Sequence, residues 1–139
     1  MKICLFLGAL LTLTPFLRAQ KSSFPDLSDF TKSPTEHFID QVDEPFRVRS
    51  VIGVITTSAD GDVPGRAGVL FEIEGPGQER TIRHGQTDSH GHFKISRVPE
   101  GTYRFKTTLN GFSSVIGTIV VSRNAARSSK IVIKMPLGM

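Results

Sequence analysis

The stretch from Ile82 to Thr108, IRHGQTDSHGHFKISRVPEGTYRFKTT, decides the fold. Phe93 and Ile95 alternate with Lys94, and Tyr103 and Phe105 alternate with Arg104 and Lys106. This period of two places the apolar side chains on one face of a strand and the charged ones on the other. The intervening residues are turn formers. In Thr87-Asp88-Ser89-His90-Gly91, the Asp88 carboxylate is suited to accept hydrogen bonds from the turn amides, and Gly91 takes a positive φ at little steric cost, which reads as a hairpin turn. In Val98-Pro99-Glu100-Gly101, Pro99 pre-sets φ at the second turn position and Gly101 serves the next bend. Tyr103 is then expected to bury its ring while its hydroxyl meets a backbone acceptor at the rim.

Outward from this stretch the same texture continues. Short β-branched runs separated by Gly, Pro, Asn and Asp clusters occur at about 49–57, 67–74, 80–87, 92–98, 101–109, 115–122 and 129–135. None has the length or the 3.6-residue period of a helix, and no internal repeat is evident. Alternation turns Val69, Phe71, Ile73, Phe93, Ile95, Tyr103, Phe105, Ile131, Ile133 and Met135 inward. The expectation is an all-β, seven-stranded, two-sheet sandwich over residues 46–139.

The N-terminal third differs. Met1-Lys2, the apolar run Ile3–Phe16 and Leu17-Arg18-Ala19 have the layout of a secretory signal peptide cleaved after Ala19. The run is shorter than the roughly 18–20 residues a membrane-spanning helix needs. Residues 1–19 are therefore read as a signal and residues 20–45 as a flexible acidic leader. In that leader Lys21 and Lys32 stand against Asp26, Asp29, Glu36, Asp40, Asp43 and Glu44, a net charge of −4, whereas residues 46–139 carry +6. Phe24, Leu27 and Phe30 are spaced to share one side of a short helix, but no longer period supports one. The only cysteine, Cys4, leaves with the signal. The exported chain then has neither disulfides nor thiol chemistry, and its final compartment is expected to be the periplasm or the exterior.

Gly53-Val54, Pro64 with Ala67 and Val69, Thr87-Asp88 with Gly91 and Phe93, Val98-Pro99 with Gly101 and Tyr103, and Asn110-Gly111-Phe112 follow one another in an order that resembles the carboxypeptidase regulatory-like domains. The resemblance runs from about Arg49 to Leu137. It implies a transthyretin-like sandwich with an immunoglobulin-like two-sheet layout, related to carbohydrate-binding-like modules. It also implies an accessory role beside peptidases, outer-membrane receptors or adhesins. The loop 57–64 is longer than is usual in that family, and Gly68 interrupts the second strand. Hydroxyisourate hydrolases of similar fold end in a Tyr-Arg-Gly-Ser-type tail, absent from Met135-Pro136-Leu137-Gly138-Met139.

Catalytic chemistry finds no support. No Gly-x-Ser-x-Gly elbow or Ser/His/acid arrangement is visible. An isopeptide lock needs a lysine in the first strand, and residues 49–57 contain none. His84, His90 and His92 are read as solvated turn histidines, because the bend at Gly91 prevents His90 and His92 from sharing a strand face; neither metal nor cofactor is expected. Arg83, Lys94, Arg104, Lys106 and Lys134 project outward. They form either an ordinary solvated sheet surface or a basic face for an anionic partner such as polysaccharide, lipid head groups or the leader itself. Sugar sites favour exposed flat rings; the chain lacks Trp, which leaves Phe112, next to Asn110 at a loop tip, as the one ring expected near the surface. Nucleic acid is disfavoured by export and by the lack of aromatics interleaved with basic residues. The reading is a non-catalytic exported module that meets an envelope or extracellular protein, or an anionic or neutral polysaccharide, with no transmembrane span once the signal is removed.

Overall fold

The computed structural model describes residues 26–34, 38–57, 65–76 and 81–138. The expected signal segment 1–19, with Cys4, and also Phe24 lie outside the described residues. Nine strands are present among the described residues: β1 (Ile39–Gln41), β2 (Phe46–Val48), β3 (Val51–Thr57), β4 (Leu70–Glu74), β5 (Ile82–Gln86), β6 (His92–Ile95), β7 (Gly101–Thr108), β8 (Ser114–Val121) and β9 (Ile131–Met135). There is no helix among the described residues. The larger sheet has the order β1-β8-β7-β4-β5, with β2 also on β8, and the smaller has the order β6-β3-β9. The chain is a β-sandwich built from two mixed sheets.

All seven expected runs form strands. Val, Ile and Thr dominate β3, β8 and β9, where branched side chains suit a pleated, half-buried surface. Every residue assigned inward by alternation is buried, and these residues join Val51, Ile55, Val115, Ile119 and Val121 in one core between the sheets. Its centre is aromatic: the Phe71 ring stacks on Phe93 at 4.2 Å and on Phe105 at 5.5 Å between centroids. Gly117 lies opposite Phe105 in the β7–β8 ladder, and a Cβ there would stand 2.7 Å from Cε1 of that ring. The missing side chain makes room for the phenyl group.

Two features differ from expectation. First, the Asp88 turn forms, with Gly91 N–H donating to Asp88 O at 3.0 Å and Gly91 at φ 77°, but it is not a hairpin turn. It carries the chain from β5 in one sheet to β6 in the other, where β6 pairs antiparallel with β3. The turn is fixed by backbone approach: Ile55 N–H donates to Gly91 O at 2.9 Å and Arg66 N–H to Ile55 O at 2.8 Å. A Cβ at Gly65 would stand 2.2 Å from His90 O, and one at Gly91 would stand 2.5 Å from the Gly65 Cα. Neither position has space for a side chain.

Second, the leader is not a free tether over its described residues. Its end contributes β1, and β1 and β2 lie end to end along β8, both parallel to it, with Ile39 opposite Ser114 and Phe46 opposite Ile119. Residues 26–33 cross the outer face of the larger sheet as a strap. Phe30 is 3% exposed and Ser33 is buried. The cause is local: Leu27 and Phe30 fall on one side of a single turn, closed by Phe30 N–H to Leu27 O at 3.1 Å. The sheet below offers paired charges that hold the strap's backbone.

Candidate binding surfaces

On the outer face of the larger sheet, Glu72 and Glu74 of β4 stand opposite Lys106 and Arg104 of β7. Opposite charges facing each other across a ladder stabilise the pairing, and here they also serve the strap. The Thr31 N–H donates to Glu72 Oε1 at 3.0 Å, its hydroxyl donates to Glu72 Oε2 at 3.2 Å, and Lys106 Nζ donates to the Thr31 carbonyl at 2.7 Å. The Arg104 guanidinium lies 5.7 Å from the Phe30 ring centroid and donates through Nε to Glu74 Oε2 at 2.9 Å. Lys106 is only 1% exposed. A lysine so deeply covered needs partners for its ammonium group, and the strap supplies one of them. Thr108 Oγ1, at the end of β7, and Ser114 Oγ, at the start of β8, are buried with no hydrogen-bond partner among the described residues.

The five basic residues read as outward therefore do not make one face. Lys106 is buried beneath the strap, Arg104 is half-buried and engaged by Glu74 and Phe30, and Arg83 on β5 donates through Nη1 to the Arg97 carbonyl at 2.8 Å and also to the Ser96 carbonyl. Only Lys94 and Lys134 are exposed, and they belong to the smaller sheet. Strand alternation correctly sends Lys94, Arg104, Lys106 and Lys134 away from the core, but Arg83 stands opposite Ile73 in the β4–β5 ladder and so shares the inward face, reaching the Ser96 and Arg97 carbonyls at the edge of the sandwich. Alternation does not distinguish a solvated face from one roofed by a distant segment.

The outer face of the smaller sheet is open. Ile52, Val54 and Thr56 of β3 run down its middle, half-buried, with Val132 of β9 53% exposed beside Val54. Lys94 pairs with Ile52, His92 with Val54 and Lys134 with Thr56. Ile52, Val54, His92, Phe93 and Lys130 line a shallow depression at this end. The result is a narrow apolar strip between two basic margins. Lys94 and Lys134 are about 13 Å apart along the strand direction, from four residues of strand rise.

Asn110 is exposed at its loop tip, but Phe112 is not available there; it is 6% exposed. Phe112 forms an isolated bridge with Leu137, Ser113 N–H donates to Pro136 O at 2.9 Å, and the Arg66 guanidinium lies 5.3 Å from the ring centroid. The C-terminal residues fold back over the loop and close the ring into the core, a long-range contact that the loop sequence does not signal.

The turn residues have structural roles. Asp88 Oδ1 accepts from His90 N–H at 2.8 Å and His92 N–H at 3.0 Å, and these bonds hold its carboxyl below the usual 3.8. Tyr103 donates its hydroxyl to Pro99 O at 2.7 Å, as the sequence suggested, and burial raises its phenol above the ordinary 10. Gly101 has a φ of 156°, a backbone setting that favours glycine, beside that same bend. The His90 and His92 rings are 6.4 Å apart and tilted, and no group of three metal-ligating side chains occurs among the described residues. Nor is any helix there long and apolar enough to cross a membrane. No family model matches this chain, and no curated protein sequence matches it.

Proposed function

We propose that the chain is an exported, non-catalytic β-sandwich module that works through its surfaces, binding or spacing an envelope or extracellular partner. The observation that carries this reading is the asymmetry between the two sheets. Over β4 and β7 the larger sheet's outer face is covered by the chain itself, while the smaller sheet presents Ile52, Val54 and Val132 between Lys94 and Lys134 to solvent. An apolar strip with basic margins suits an anionic polymer, whose charges meet the lysines while its less polar face lies on the strip. The signal-like N-terminus and the resemblance to carboxypeptidase regulatory-like domains support export and an accessory role.

The test uses the chain from Gln20 onward and its Lys94→Glu/Lys134→Glu variant on immobilised dextran sulfate, with unsubstituted dextran as control. Retention that falls with salt and disappears in the variant supports the polymer reading. Retention that ignores both salt and the charge reversal overturns it. A second reading, an accessory to a peptidase or outer-membrane receptor, is favoured by β9, which pairs only with β3 among the described strands and leaves a strand edge for a protein partner. Stoichiometric co-purification of such a protein from an envelope fraction, lost on Val132→Pro, supports that alternative.

A further inference from the structure

We infer that the outer face of β4, β7 and β8 is a peptide-binding site, held closed in the free chain by residues 26–33 and able to take a peptide of the same chemistry from a partner. This inference concerns the opposite face from the one assigned to polymer and does not depend on that assignment.

The contacts that hold the strap are those of peptide recognition. Glu72 reads a backbone N–H and Lys106 reads the carbonyl of the same residue, Thr31. Both would serve any peptide. Selectivity comes from the flanking side chains: Phe30 lies against Arg104, and the Thr31 hydroxyl adds a second bond to Glu72. Leu27, Arg104, Phe105, Ile116, Gly117 and Thr118 line a partly open cavity next to the anchor, so the groove continues beyond the aromatic residue.

Two observations set this apart from ordinary packing. The opposed charges beneath the strap are nearly buried: Glu72 and Glu74 are each 4% exposed and Lys106 is 1% exposed. Charged groups at that depth require a polar occupant above them, which an apolar cover would not supply. The same face also carries unsatisfied polar groups at one end. Thr108 closes β7 two residues beyond Lys106, Ser114 opens β8 opposite Ile39 of β1, and both hydroxyls are buried without a partner among the described residues. A polar group brought to that end of the sheet would relieve the penalty of leaving them unsatisfied. The partner is thus a peptide with an aromatic residue, then a hydroxyl residue, and a hydrogen-bonding group placed to reach Thr108 and Ser114.

The experiment uses a fluorescent peptide of residues 26–33, Asp-Leu-Ser-Asp-Phe-Thr-Lys-Ser, and the chain from Gln20 onward as wild type and Phe30→Ala. Truncating Phe30 loosens the tethered strap and leaves the floor intact. Fluorescence anisotropy should show the peptide binding Phe30→Ala about tenfold or more tightly than wild type, since the tethered competitor is weakened. A peptide with N-methyl-threonine at the Thr31 position, lacking the N–H that Glu72 accepts, should lose about tenfold or more against the same protein. Equal binding of the parent and N-methyl peptides, or no binding to folded Phe30→Ala at millimolar peptide, overturns the inference. Should Phe30→Ala fail to fold, amide exchange at Thr31 of wild type replaces it. Exchange that accelerates as the unlabelled peptide is added supports displacement, and exchange that does not change overturns it.

Discussion

Lys106→Met is the most informative single substitution. Lys106 is 1% exposed, opposite Glu72 in the ladder and 2.7 Å from the Thr31 carbonyl. Methionine nearly preserves the volume but removes the charge. Glu72, 4% exposed, is then a buried carboxylate deprived of the opposing cation, a change that typically costs about 3–5 kcal/mol. Glu72→Met should cost a similar amount, since Lys106 then lies buried without the opposing carboxylate. The double variant strands neither charge and should recover most of the loss, ending within about 2 kcal/mol of wild type, the remainder being the strap's lost hydrogen bonds. Urea unfolding of the chain from Gln20, followed by far-ultraviolet circular dichroism, measures all three. With a slope of about 2 kcal/mol/M, each single variant should lower the midpoint by about 1.5–2.5 M. Additive losses in the double variant would show that Glu72 and Lys106 are not coupled. A loss below about 0.5 kcal/mol for Lys106→Met would mean that Lys106 is solvated and the strap is not seated on it.

Tyr103→Phe removes the hydroxyl that Pro99 O accepts and should cost about 1 kcal/mol, read as a lowered thermal midpoint. Asp88→Ala should be less stable than wild type at neutral pH. Because the folded-state pKa of Asp88 is depressed, its contribution is fully present above the unfolded value near 3.8 and is lost as pH falls through the lower folded value, so the gap between the two proteins should close in acid. Phe112→Ala should behave as a core truncation, destabilising the fold by about 3–5 kcal/mol in denaturant melts; a change in sugar retention with unchanged stability would contradict its burial.

What the sequence revealed and what it hid follow the range of the interactions. The seven principal strands and the identity of the core depend on alternation between neighbours, so Phe71, Phe93 and Phe105 could be placed without knowing the topology. Tyr103 and its Pro99 acceptor lie four residues apart, within reach of local turn rules. The strap depends on contacts between Thr31 and Glu72, 41 residues apart, and between Thr31 and Lys106, 75 apart. Its two apolar anchors, Leu27 and Phe30, are too few to give a period, and Glu72 and Lys106 look like any outward pair on a solvated sheet. The parallel pairing of β1 and β2 with β8 is equally remote, since three-residue strands carry little signal of their own. The basic face fails for the same reason: alternation reports that a side chain points away from the core, not what it meets there, and Lys106 meets backbone.

The contact between Gly65 and Gly91 bears on how this chain can diverge. Exposed outward positions of the smaller sheet, such as 94, 132 and 134, lie outside the core, so identity there can decay while the sandwich persists. At 65 and 91 main chain rests on main chain, and a methyl group at either position collides with atoms that no rotamer change can move aside. Lineages that share this architecture should therefore keep both glycines together or lose both with the backbone contact they make. That paired signature, set beside the Asp88 turn and the Pro99–Tyr103 bend, is a search pattern for distant kin whose surfaces no longer resemble one another.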